Sequence, residues 1–175
     1  MTRTLKNRKQ MAKIMFHGVG VEVGVNRGDF SQIILNTSNP TQLYLVDCWE
    51  YHPGINKDYD RDAAYQFVQD RFRENPKVHI VKAYSTAAAQ QFTDEFFDFV
   101  YLDADHSYEA VTADLEAWWC KVKPGGTLAG HDYFTGKNID VERAVNKWLK
   151  GRRLRAITSE KCPSWAIKKK TGHQK

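Results

Sequence analysis

Val21-Glu22-Val23-Gly24-Val25-Asn26-Arg27-Gly28 is the stretch on which the reading of this chain turns. An apolar run from Phe16 to Val23 leads into it. Asp29 to Asn36, with Phe30, Ile33 and Ile34 at helical spacing, leads out of it and stops at Asn-Thr-Ser breakers. The order is strand, tight turn, helix. Gly24 and Gly28 permit a sharp turn with close backbone approach. A nucleotide-binding G-x-G-x-x-G loop needs its middle glycine so that a pyrophosphate can reach the backbone, and here Asn26 stands in that place. Glu22, two residues before Gly24, sets a carboxylate where it would repel a phosphate and suit an ammonium group. Taken alone, G-x-x-x-G also fits an ordinary strand-to-helix turn.

The same alternation runs on down the chain. Gln42 to Val46 is a second strand ending at Asp47, and after a loop containing Pro53 and Gly54, Tyr59 to Asn75 has helical spacing. Val78 to Ala83 is a third strand, with Ser85 placed to cap a helix over Thr86 to Phe92. Phe97 to Leu102 is a fourth strand ending at Asp103. A helix from about Ser107 follows, with Ala110, Val111, Leu115 and Trp118 on one face. Past the Pro124-Gly125-Gly126 turn, Thr127 to Gly130 is a short fifth strand running into His131 and Asp132. Val141 to Lys150 is the last helix. Arg153 to Thr158 and Ser164 to Lys169 are joined too closely for a crossover, so that pair is antiparallel. The expected fold is α/β: a Rossmann-like, seven-stranded, mostly parallel sheet with an antiparallel C-terminal hairpin. This core uses the whole chain, so one domain is expected over residues 1–175, with basic flanks at 1–15 and 168–175.

The bulk properties agree. With 175 residues, 42% of them hydrophobic, the chain can bury one sizeable core. No apolar run reaches about 18 residues, so no membrane-spanning helix is expected. The basic opening MTRTLKNRKQMAK lacks the apolar segment of a signal peptide, which points to a cytoplasmic protein. Cys48, Cys120 and Cys162 have no CxxC spacing and suggest neither a disulfide framework nor a zinc site. The net charge of +5 is unevenly spread. Residues 1–13 and 147–175 carry 15 of the 26 Lys and Arg against one acid, Glu160, a net +14; the remainder is at −9. Basic ends could attract RNA, but no RNA-binding signature accompanies them, and solvated flanks are the favoured reading.

In open α/β sheets ligands bind beyond the carboxyl ends of the strands. The polar residues found there are Glu22, Gly24, Asn26 and Gly28; then Asp47, Cys48 and Trp49; then Ser85; then Asp103, Asp105 and His106; and last His131 and Asp132. Asp47 lies at the second strand tip, where an acid can accept both hydroxyls of a ribose. Trp49 is placed either to cover a nucleobase or to pack on the sheet edge.

FFDFVYLDADHSYEAVTADLEAWWCKVKPGGTLAGHDY, residues 96–133, resembles the motif block of small class I methyltransferases that use S-adenosylmethionine (SAM), the macrocin-type sugar O-methyltransferases among them. The likeness extends through VEVGVNRGDFS and YLVDCWE, over residues 16–150. It implies SAM as cofactor, with Glu22, Gly24, Asn26, Gly28, Asp47, Cys48, Trp49, Ser85 and Asp103 around it. Some members of that group hold a divalent metal on an acid after strand four and an acidic pair after strand five, with a His as base. The matching residues are Asp103, the pair His131-Asp132, and His106. His131 replaces an oxygen ligand that Mg²⁺ prefers, which shifts the expectation toward Mn²⁺, Fe²⁺ or no metal. The resemblance thus implies catalysis by His106, Asp103 and Asp132, and O-methylation of a small hydroxylated acceptor such as a sugar. A homo-oligomer is left open, and no membrane partner is expected. An RNA methyltransferase is disfavoured because Asp-Ala-Asp-His replaces the N/D-P-P-Y motif after strand four. A nicotinamide dehydrogenase is disfavoured by Asn26 and Glu22. A non-catalytic SAM-binding module is the third alternative.

Overall fold

The computed structural model describes residues 1–50, 59–137 and 139–171. The loop with Pro53 and Gly54, and residues 172–175 of the basic C-terminal flank, lie outside them. The chain runs β1 (Arg3–Leu5), α1 (Arg8–Met15), β2 (Val19–Val23), α2 (Asp29–Ser38), β3 (Gln42–Asp47), α3 (Arg61–Phe72), β4 (Val78–Lys82), α4 (Ser85–Ala89), β5 (Phe97–Leu102), α5 (Tyr108–Trp119) and β6 (Val122–Gly130). A two-residue ribbon follows, β7 (Thr135–Gly136) with β8 (Ile139–Asp140), then α6 (Val141–Leu149), β9 (Leu154–Thr158) and β10 (Trp165–Lys168).

The sheet order is β1-β9-β10-β6-β5-β2-β3-β4. Neighbours from β6 to β4 pair in parallel, and β10 is antiparallel to both β6 and β9. The expected α/β architecture and C-terminal hairpin are therefore present, with eight strands rather than seven. The extra strand is β1, which pairs in parallel with β9 from Arg3↔Ala156 to Leu5↔Thr158. Among the described residues no helix is long and apolar enough to cross a membrane.

Pleat alternation splits the strands between two cores. Val21, Val23, Val100, Leu102 and Leu128 face a cluster with Leu115 and Trp118 of α5 and Val145 and Trp148 of α6. Leu43, Leu45, Phe99 and Tyr101 face the other way, against Met11 of α1, Phe30 and Ile34 of α2 and Val68 and Phe72 of α3. Helices thus cover both sides of a mostly parallel sheet, as such sheets require. The basic opening segment belongs to this packing. Asn7 caps α1 through the Gln10 amide, and Met11, Ala12 and Phe16 are fully buried, with Phe16 stacked on Phe99 at 4.7 Å between ring centroids. Burial of such side chains contributes roughly 1.5–3 kcal/mol each, enough to hold a cationic segment against the sheet. It also shortens the expected first strand: Phe16 ends α1, and Gly18, at φ 79, turns the chain into β2 at Val19.

Candidate active site

The turn after β2 is the tightest point of the site. Gly24 has φ 90, and a Cβ there would lie 2.0 Å from the Asp103 carbonyl oxygen, so no other residue fits. Asn26, at φ 53, adopts the left-handed conformation that asparagine tolerates best after glycine. Glu22 is 1% exposed at the floor of a cleft of about 800 Å³ and accepts a 2.5 Å hydrogen bond from the Ser31 hydroxyl. Burial pushes its carboxyl up to about 8, only partly offset by Ser31. A buried acid without a cation holds its proton; a ligand ammonium placed against it would restore the charge.

Asp47, at the end of β3, is already heavily used. One oxygen accepts from the amides of Val25 and Asn26 at 2.9 Å each, and the other from the Trp49 amide at 2.8 Å. A carboxylate offers about four acceptor sites, so roughly one remains for a ribose hydroxyl, where the sequence led us to expect two. Trp49 is 4% exposed. Its indole donates to the Asn26 carbonyl at 2.9 Å and packs on Tyr65, so it braces the turn instead of offering an open face to a base. Cys48 lines the same wall, and burial pushes its thiol up. Ser85 differs from expectation in a second way. The backbone of Tyr84 is the N-cap of α4, while the Ser85 hydroxyl accepts from Trp118 Nε1 at 2.9 Å and donates to Asp114 at 2.5 Å.

The ends of β5 and β6 bring together the four residues singled out there. His106 Nε2 lies 3.5 Å from Asp103 and 3.3 Å from Asp132; His131 Nδ1 lies 3.6 Å and 3.3 Å from the same two carboxylates. Burial lowers the pKa of both imidazoles, and the two acids overcome it. His106 ends above its ordinary value and His131 at about 9, while the imidazoles hold Asp132 below its own. His106 Nε2 is buried at ion-pair distance yet has no hydrogen bond of good geometry among the described residues. Asp103 and His106 line the cleft. His131 and Asp132 stand one layer back, so Asp132 reaches the cleft through His106.

A family model for a methyltransferase domain matches residues 21–133, more than half of the chain, and covers every residue just described. The chain belongs to this methyltransferase family. The curated relative that it matches, the uncharacterized protein y4gI of Sinorhizobium fredii, is 26% identical over 118 residues, 65% of this chain, and this chain spans about 12% of that protein's length. Among solved structures the chain is similar to the O-methyltransferase NovP (TM-score 0.64, 19% identity, 87% of this chain and 72% of that one). A SAM-dependent O-methyltransferase from Thermotoga maritima matches with TM-score 0.64 at 11% identity, over 96% and 65% of the two chains. The N-methyltransferase NodS from Bradyrhizobium japonicum matches with 0.58 at 14%, over 87% and 86%. At such identities these likenesses speak for the class I methyltransferase fold.

The cleft also contains residues that sequence reasoning passed over. Asp114 of α5 is 6% exposed, and burial pushes its carboxyl up to about 6. Its spacing, three residues after Val111 and four before Trp118, sets it on the apolar face of α5, a signal that attention to the strand ends alone passed over. Tyr84 donates to Glu50 at 2.5 Å across the rim. Arg8 of α1 reaches Asp103 at 3.4 Å. As a cation site, Asp103, His131 and Asp132 can each present one ligand atom within 4.8 Å of the others. Two carboxylate oxygens and one imidazole nitrogen are a fitting donor set for a first-row divalent ion. The imidazolium of His131 would have to release its proton first.

Proposed function

We propose that the methyltransferase moves the methyl group of SAM to a hydroxyl of a small acceptor, with His106 as the general base. The observation that carries this reading is the pairing of His106 with Asp103 and Asp132 at the open end of a cleft floored by Glu22 and walled by Asp47. Its volume of about 800 Å³ lies within the usual range for small-molecule sites. When bound, SAM supplies an electrophilic methyl on its sulfonium. Glu22 takes the ammonium of its methionine arm, and Asp47 accepts from the ribose while holding the turn. Gly24 lets the arm lie against the backbone, and Ser85, Trp49 and Cys48 border the adenosine.

His106 presents Nε2 to the two carboxylates, which leaves Nδ1 to accept the acceptor's proton. Asp132 positions the ring and stabilises the imidazolium once the proton has moved. Asp103, which lines the cleft, with His131 and Asp132 behind it would hold a divalent cation, whose Lewis acidity would reach an acceptor hydroxyl lying against Asp103. A hydroxyl needs this help because it is a poor nucleophile when protonated. The resemblance of residues 96–133 to sugar O-methyltransferases makes a sugar hydroxyl the first acceptor to try. In this reading residues 1–175 act as one SAM-binding domain, without need of a nucleic acid.

Calorimetry with SAM and S-adenosylhomocysteine, followed by label transfer to a panel of hydroxylated small molecules, tests the proposal. His106→Ala is expected to leave SAM affinity within about three-fold and to lower turnover by roughly 10²-fold, the scale of a lost general base. Undiminished turnover in that variant would remove His106 from the chemistry. Absence of binding heat with saturating SAM would remove the cofactor.

A further inference from the structure

We infer that Arg8, on the helix that precedes the matched methyltransferase region, binds the carboxylate of the cofactor's methionine arm. The inference rests on the SAM reading above and deepens it. SAM carries a carboxylate as well as an ammonium, and the cleft is lined by Glu22, Asp29, Asp47, Glu50, Asp103, Asp105 and Asp114. A carboxylate entering such a field needs a cation. Among the described residues three line the cleft: Arg8, Arg27 and Arg61. Arg27 stacks on Phe67 at 4.5 Å, and Arg61 donates to the Tyr59 carbonyl at 2.9 Å, both on the α3 side. Arg8 alone of the three stands where the arm must lie. Its Nη1 is 3.4 Å from Asp103, whose carbonyl oxygen would touch a Cβ on Gly24, and it is electrostatically coupled to Glu22.

The guanidinium is held ready there. It lies 4.6 Å over the Phe30 ring at the start of α2, and the Arg8 amide donates to Glu160 at 2.8 Å, which fixes the base of the side chain. The side chain keeps 31% of its surface open, and its contact with Asp103 is a single, long one. Guanidinium and carboxylate pair through two parallel hydrogen bonds, so a carboxylate presented end-on takes up donors that Asp103 and the buried Tyr101 hydroxyl leave over. Glu22 and Arg8 then form a clamp of opposite charge, one for each end of the zwitterion. The matched family region begins at residue 21, so this half of the clamp comes from the chain's own opening segment.

The test compares SAM with decarboxylated SAM, which keeps the ammonium and sulfonium and lacks only the carboxylate. Wild-type protein is expected to bind SAM at least ten-fold more tightly. Arg8→Ala and Arg8→Gln should lose ten-fold or more for SAM and stay within two-fold for the decarboxylated form, with Arg8→Lys in between. Equal losses on both ligands would make Arg8 a support of the fold. A raised KM for the acceptor with SAM affinity unchanged would assign it to an anionic acceptor. Equal wild-type affinity for the two ligands would overturn the inference without any variant, and would leave SAM binding itself standing. A wild-type protein that binds neither ligand would overturn the cofactor reading and this inference together.

Discussion

Glu22→Gln is the perturbation in which stability and binding should move in opposite directions. In the folded chain the Glu22 carboxyl is raised from its ordinary 4.5 to about 8 by burial. The unfolded chain gives up this proton above pH 4.5, while the folded chain keeps it until about pH 8. Folding therefore loses roughly 1.4 kcal/mol per pH unit across that window, full stability from this group being present below pH 4.5 and the loss reaching roughly 5 kcal/mol above pH 8. Glutamine has nearly the same shape, no charge to bury, and an amide oxygen that can still accept from Ser31. The variant should match the wild type within about 1 kcal/mol at pH 5. At pH 9 it should exceed it by several kcal/mol, a melting-temperature gain on the order of 10 °C. The same variant should bind SAM at least ten-fold more weakly, because the amide cannot pair with the ammonium. Melting curves from pH 5 to 9, with calorimetry of SAM at one pH, read both effects. Parallel curves for the two proteins would show that Glu22 does not titrate in this window. A variant that binds SAM as well as the wild type would remove Glu22 from the arm.

Three further outcomes are expected. Asp47→Ala should weaken SAM binding ten-fold or more and also lower the melting temperature by several degrees, since it frees three backbone amides as well as losing its place at the ribose; unchanged affinity by calorimetry would leave Asp47 a brace of the turn alone. Gly24→Ala, with its Cβ driven to 2.0 Å from a carbonyl oxygen, should abolish SAM binding and destabilise the fold by at least about 2 kcal/mol in urea titration; a stable, binding variant would refute the geometry of the turn. If a cation sits on Asp103, His131 and Asp132, Mn²⁺ affinity should rise about ten-fold per pH unit below pH 9 as the His131 imidazolium gives up its proton, and Asp132→Ala should remove it; a flat pH profile would exclude His131 as a ligand.

The parts of the site that could be read from the sequence are those where chemistry follows directly on an apolar run. Asp47 closes its strand, Asp103 and His131-Asp132 stand just past theirs, and the parallel register brings those ends to one side of the sheet. The His three residues past Asp103 could be read for the same reason. Arg8 could not, because Met11, Ala12, Met15 and Phe16 are an apolar face buried in a segment dominated by Lys and Arg, and charge conceals the period. Asp114 was legible and passed over: it sits at i, i+3, i+7 spacing with Val111 and Trp118 on the apolar face of α5, where an acid is out of place until Ser85 of α4 is seen to donate to it. The C-terminal hairpin was expected from its short connection. Its insertion of β10 between β6 and β9 was not, because strand order is set by contacts across the sheet and leaves little trace along the chain.

The pairing of β1 with β9 gives the chain an order of assembly. Arg3 finds Ala156, and the Arg8 amide finds Glu160, so the opening residues have their partners more than 150 positions downstream. During synthesis the turn after β2 and the strands β3 to β5 can gather while that first segment waits without its edge. Only when β9 has left the ribosome can β1 dock, whereas α1 packs mainly on α2 and its arginine on Phe30, both made early. The nascent chain can thus have a nearly finished sheet and still lack its β1 edge and the Glu160 contact that fixes the base of Arg8. The bracing of that arginine would then arrive last, with the final strands.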